Sequence, residues 1–286
     1  MKHSAMKYSA ILVIALLSIV SPLAAEDPLP ESVQTLLRTA QRHYQQDKTD
    51  QAIEVAGQAV KAAPKRIEPY FVRAMFLSDD HQWDKAVADL DDVIELRPKL
   101  AEAYYRRGRL HYLAANPKLS VADFDRYVTL NPKREKSLWE RGISHYYTGQ
   151  FKEGARQFEL YQTYLGNDVE NGVWRYLCMA RSDGVKKAQA SMLDIKGDRR
   201  VPMTEIYRLY RGELKPADVL SAATAGQASK SQQSHRLFYA HLYLGLYHEV
   251  HNRPKQALKH LRLAADKYRI THYMGDVARV HLELAK

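Results

Sequence analysis

The feature that most constrains this chain is a period. Pro64, Pro98 and Pro132 stand 34 residues apart, and Gly166 takes the next place in the series. Residues 33–66, 67–100, 101–134 and 135–168 then align without a gap. In this register one set of small residues recurs at Ala40, Ala74, Gly108 and Gly142. A second set falls at Ala52, Ala86, Ser120 and Gly154, followed four residues later by Ala56, Leu90, Phe124 and Phe158. Two antiparallel helices approach closely only where one offers Gly or Ala to the other, so small residues mark crossing points and large apolar residues flank them. The recurring proline lacks an N–H and disfavours helix at the residue before it, which ends each second helix. One such hairpin cannot bury its own apolar face, so neighbouring blocks must stack. The abundance of Leu, Ala, Tyr, Lys and Arg, with only 13 Gly and 11 Pro in 286 residues, agrees with a mostly helical chain.

This spacing resembles the tetratricopeptide repeat, whose pattern is W-x2-L-G-x2-Y, then A-x3-F, then P. The resemblance implies an all-α solenoid of antiparallel helix pairs. Four such repeats cover 33–168, after a linker at 26–32. Residues 169–237 read as degenerate helical repeats: Trp174-x2-Leu177-Cys178 fits the first-helix signature, and Ala188, Met192 and Ile195 supply a second helix. Short helical stretches follow at about 203–211 and 216–224, then the Ser- and Gln-rich run Ser229 to Ser234, the least repeat-like part. The signature returns at 238–271, where Gly245 is the small slot and Asn252 with Pro254 opens the second helix. Residues 272–286 place Tyr273, Val277, Val280 and Leu284 on one helical face, as a C-terminal capping helix would.

The hairpin from Phe238 to Tyr247 is similar to that of NlpI-like bacterial envelope proteins of the same repeat type. That resemblance implies an adaptor role, often as a homodimer. The N-terminus fits export: Lys2 and Lys7, an apolar run of about 13 residues from Tyr8 to Val20, then Ser21-Pro22-Leu23-Ala24-Ala25 before Glu26. This is the order of a signal peptide, 1–25, and the run is short for a membrane span. No cysteine follows it, so the lipid-anchor pattern of NlpI-like lipoproteins is missing. A periplasmic or secreted protein is expected; an uncleaved N-terminal anchor is the alternative, and only then is the membrane a partner. Formal charge is +10, and +8 without Lys2 and Lys7. In an exported protein this suits anionic envelope polymers, anionic lipid or acidic proteins.

No sequence signature of catalysis stands out: there is no G-x-S-x-G, H-E-x-x-H or glycine-rich phosphate loop. The single cysteine, Cys178, occupies a packing slot and cannot form an internal disulfide. His43, His111, His145 and His248 fall at the eleventh place of their repeats, where the family carries Tyr, so their recurrence is architectural. His248 and His251 could share a metal, but no third ligand is evident, and no metal or cofactor is expected. Basic residues recur in the turns at Lys65-Arg66, Lys99 and Lys133-Arg134 without aromatics to stack bases, so nucleic acid is not expected as a partner.

In the tetratricopeptide family the second, fifth, ninth and twelfth positions of each first helix face a concave groove. The fifth places hold Leu37, Phe71, Tyr105 and Trp139; the ninth and twelfth add Met75, Arg109, Tyr112 and Tyr146, with Gln41, Tyr44, Ser78 and Ile143. A row of aromatics with one Arg among them suits an extended peptide carrying apolar side chains. The competing reading is that these rings fill a tight superhelix or receive the chain's own C-terminal segment. The expected function is an exported scaffold or adaptor that binds proteins in the bacterial cell envelope, not an enzyme. The alternatives are a membrane-tethered envelope assembly factor, or an enzyme or cell-wall-binding protein using the aromatic row.

Overall fold

A computed structural model describes residues 27–285. The expected signal peptide, 1–25, lies outside the described residues, among which there is no strand. No helix among them is long and apolar enough to cross a membrane. The chain forms two compact units, divided between Ala114 and Ala115.

The first unit holds α1 (Glu31–Gln45), α2 (Thr49–Ala62), α3 (Ile67–Asp79), α4 (Trp83–Leu96) and α5 (Ala101–Leu113). The second begins with α6 (Pro117–Leu130), α7 (Trp139–Tyr147), α8 (Phe151–Gln162), α9 (Val169–Asp183) and α10 (Val185–Ala190). It continues through α11 (Met203–Tyr210), α12 (Pro216–Thr224), α13 (Lys230–Val250), α14 (Pro254–Arg262) and α15 (Tyr273–Leu284).

The 34-residue period is written into the backbone as well as the side chains. Asp47, His81, Ala115 and Gly149 stand 34 residues apart, and all have positive φ, at 59°, 60°, 58° and 76°. Each sits in the turn between the two helices of a pair, where one left-handed residue reverses the chain. The residue types share nothing, so this recurrence is invisible in a pattern of small and apolar positions. Asn252, at φ 57°, does the same after α13; it therefore ends the first helix of its pair, and Pro254 opens the second directly behind Arg253. Between pairs, Ala63, Arg97 and Asn131 precede the periodic prolines with φ of −140°, −141° and −142°. Their N–H groups donate to Ala59, Val93 and Tyr127, closing α2, α4 and α6 before the chain extends.

Small residues sit at the helix crossings. In the first unit Ala40, Ala52, Ala56 and Ala86 have no exposed surface. In the second, a Cβ on Gly142 would lie 2.7 Å from Phe158 Cζ, and one on Gly154 would lie 2.8 Å from Cys178 Sγ. Helices α7, α8 and α9 thus meet at a separation that admits no methyl group. Cys178 is fully buried, and burial pushes its thiol up, away from the reactive thiolate.

A second periodic element links the repeats electrostatically. Arg73, Arg107, Arg141 and Arg175 are again 34 residues apart, at the seventh place of their repeats. In the first unit Arg73 Nε donates to Asp89 Oδ2 at 2.9 Å, with a further bond to Oδ1, and Arg107 Nη1 lies 2.6 Å from Asp91 Oδ1. In the second unit Arg141 bonds Asp125 at 2.7 Å and Gln157 at 3.0 Å, and Arg175 bonds Glu159 at 2.6 Å. Each guanidinium reaches across a helix–helix seam to a second helix, holding long side chains in a planar fork geometry that Arg supplies.

The Ser- and Gln-rich run behaves differently from its composition. It forms the first turns of α13, a helix of 21 residues, and Ser229 with Gln232 makes a reciprocal capping box at its start. Beyond α14 the chain continues as a π-helical turn, Leu263–Lys267. On α15, Tyr273, Val277 and Val280 are buried, whereas Leu284 is 41% exposed. This last helix packs on α14 and the π turn and also reaches α7: the rings of Tyr273 and Trp139 meet edge to face at 5.2 Å. Tyr147 Oη lies 2.9 Å from His281 Nδ1.

Candidate functional site

Positions five, nine and twelve of a helix fall on one face, because their spacing of four and three follows the helical repeat. In the first unit that face opens on a pocket of about 300 Å3. Phe71, Met75 and Ser78 of α3, Tyr105 and Arg109 of α5, and Gln41 and Tyr44 of α1 all line it. Leu110 and Leu113 of α5 and Leu90 of α4 complete its apolar wall, and Asp79 and Arg106 add one charge of each sign. These last five carry no signal in the groove positions of the repeat. Asp79, Arg106, Leu110 and Leu113 each stand next to a groove position, and Leu90 enters from the second helix α4.

The electrostatics of the pocket are mixed. The Arg109 guanidinium lies 5.7 Å from the Tyr105 ring centroid and donates to its hydroxyl at 3.4 Å. That contact fixes a cation against an aromatic face, an arrangement worth about 0.5–1 kcal/mol at an exposed site. Arg106 pairs with Glu102 one turn earlier at 2.8 Å. The Tyr44 hydroxyl donates to the Asp79 carboxylate, and its ring stacks on Phe76 at 4.7 Å. Met75, Tyr105 and Arg109 are half-buried, so they keep surface to offer; Phe71 is buried and forms the floor.

The remaining four residues singled out in the sequence lie elsewhere. Leu37 is buried in the same apolar cluster as Leu29 and Val33. The segment ahead of α1 is held there by Gln34 Nε2 and Arg66 Nη1, which each donate to its carbonyls at 2.7 Å. Tyr112 has no exposed surface. In the second unit, Tyr146 is buried among Tyr147, Phe151 and Trp174, with its hydroxyl donating to Glu249 at 3.3 Å. Trp139 is half-buried against Tyr273. Two groove positions of α7 thus meet later helices, Trp139 through Tyr273 of α15 and Tyr146 through Glu249 of α13, and Ile143 is fully buried.

The histidines serve packing where they are described. His145 Nδ1 meets Gln150 at 2.6 Å, and His248 stacks on His260 at 5.5 Å. A contact with no sequence signal joins His241 Nδ1 to His260 Nδ1 at 2.8 Å; burial pushes both rings down to about 4, so both are neutral. Among the described residues no group of three His, Cys, Asp or Glu side chains could hold a metal ion.

Residues 71–135 match the family model of the tetratricopeptide repeat. The fold belongs to that repeat class. A tetratricopeptide repeat protein from Parabacteroides merdae is similar, with a TM-score of 0.54 and 17% identity over 90% of this chain and 85% of that one. The MamA protein gives a TM-score of 0.53 at 14% identity, over 70% of this chain and 98% of its own. PilW, a type IV pilus biogenesis factor, gives 0.50 at 15% identity, over 87% and 99%. No curated protein matches the sequence.

Proposed function

We propose that this chain is an exported protein-binding scaffold of the bacterial cell envelope, and that the first-unit pocket holds an extended segment of a partner protein. The observation that carries the reading is the convergence of Phe71, Met75, Tyr105 and Arg109 from two first helices on one open pocket of about 300 Å3. Its apolar floor takes an aliphatic or aromatic side chain, and the half-buried Tyr105 and Arg109 offer hydrogen bonds to the peptide on either side. The residues 1–25 support export through their charged, apolar and small-residue order. The resemblance of the stretch 238–247, which lies within α13, to NlpI-like proteins supports an adaptor among envelope proteins.

Crosslinking in the envelope fraction, followed by mass spectrometry of what the wild type captures and Tyr105→Ala does not, identifies the partner that uses the pocket. Equal capture by both proteins would move the binding surface elsewhere. Export has its own test. N-terminal sequencing of the native protein is expected to begin at Glu26; an intact Met1 in the membrane fraction would instead make the chain a tethered assembly factor.

A further inference from the structure

The second unit contains a smaller pocket that the reading above does not use. We propose that it binds a primary ammonium group on an alkyl stem, the side chain of a lysine from a partner protein. The space, about 70 Å3, is walled by the rings of Trp139, Phe158, Tyr161 and Trp174. Asp168, Glu170 and Asn171, from the start of α9, bring oxygen acceptors to the same pocket.

Charge favours a cation there. Asp168, Glu170 and the neighbouring Asp198 share one guanidinium: Arg200 lies 2.9 Å, 2.5 Å and 2.6 Å from their carboxylate oxygens. Three carboxylates against one cation leave an excess of negative charge, although the Tyr243 hydroxyl also donates to Glu170 at 2.6 Å. Burial pushes the carboxyls of Asp168 and Glu170 up even with Arg200 beside them, so a second cation in contact with them would favour their charged forms.

An independent observation points the same way. Asn171 is 3% exposed, and its Nδ2 donates to Phe158 O at 3.1 Å and Gln162 Oε1 at 3.2 Å. Its Oδ1, though buried, has no partner among the described residues. A buried acceptor without a donor is costly, and one that borders a pocket with two carboxylates calls for a donor carrying positive charge. Trp174 Nε1 is also buried without a partner among the described residues, and a water can accept its hydrogen bond.

The type of cation follows from the acceptors and the space. An ammonium has three N–H donors to distribute among Asp168, Glu170 and Asn171, whereas a quaternary amine has none and a guanidinium is a wider planar fork. The aromatic walls attract the charge through their faces and pack against the methylene stem.

The test titrates the full chain with butylammonium chloride at constant ionic strength and reads tryptophan fluorescence, to which Trp139 and Trp174 contribute. A saturable change is expected with butylammonium, weakened about tenfold or more in Glu170→Gln, which keeps the shape and removes the charge. Tetramethylammonium and sodium should give no saturable change, and Tyr105→Ala should respond as the wild type does. Should Glu170→Gln lose its cooperative melting, Trp139→Leu decides: with Trp174 left as reporter, the half-saturating butylammonium concentration should rise once the half-buried ring is gone. No saturable response, an equal response to tetramethylammonium, or an unchanged response in the folded variants would overturn the proposal.

Discussion

Replacing Arg73 by leucine should cost the protein about 3–5 kcal/mol of stability, the range for removing one partner of a buried ion pair. Its partner Asp89 retains 3% of its side-chain surface, and Arg73 retains 26%. Arg73 Nε and Nη2 both donate to that carboxylate, so the substitution leaves a charge with neither water nor a counter-ion. The loss arises at Asp89 and not from any large worth of the pair itself. The double variant Arg73→Leu with Asp89→Leu should therefore recover most of it. Denaturant unfolding of the wild type, both single variants and the double variant measures the four stabilities. A loss under about 1 kcal/mol in Arg73→Leu would mean that Asp89 is solvated, in the manner of exposed pairs.

Gly142→Leu should destabilise the second unit by about 1–3 kcal/mol or more, through overpacking. The first added carbon already lies within 3.0 Å of three Phe158 ring atoms. Phe158 is itself 1% exposed and stacked on Trp174, so it has little room to withdraw. The further carbons of leucine must then part α7 from α8. Thermal unfolding is the measurement, and an unchanged melting temperature would contradict the repeat register that puts these helices in contact.

Both substitutions address the same periodicity, and they differ in how readable it was. Gly142 announces itself, because close approach needs a small residue and a small residue leaves a visible gap in an apolar pattern. The Arg73 series repeats just as regularly, but arginine is common on solvated faces and its acceptors vary among Asp, Glu and Gln. The left-handed turn series is hidden more deeply: Asp47, His81, Ala115 and Gly149 share a backbone conformation and no side-chain property. The start of α13 was hidden by composition, since Ser and Gln are frequent in loops; the signal lay in the Ser229-to-Gln232 spacing.

The candidate site divides along the same line. Helical spacing was enough to align Phe71, Met75, Tyr105 and Arg109 on one face, because that depends on local geometry alone. It was not enough to show which stretch of that face stays open. Trp139 and Tyr146 occupy groove positions of α7 in the same register, yet they meet helices more than a hundred residues later in the chain, through Tyr273 and Glu249. Such coverage is a property of tertiary folding, and a repeat pattern holds no record of it. The buried contacts of Leu37 have a similar origin, in the segment that precedes α1.

We propose that the first-unit pocket binds a partner through its exposed side chains. The most direct test is the affinity of the captured partner for wild type, Tyr105→Ala and Arg109→Ala, measured beside their melting temperatures. Loss of a hot-spot contact should weaken binding by about 2 kcal/mol, roughly thirtyfold, for Tyr105→Ala. Tyr105 is half-buried, so melting should change little. Undiminished affinity in both variants, with folding intact, would contradict the claim.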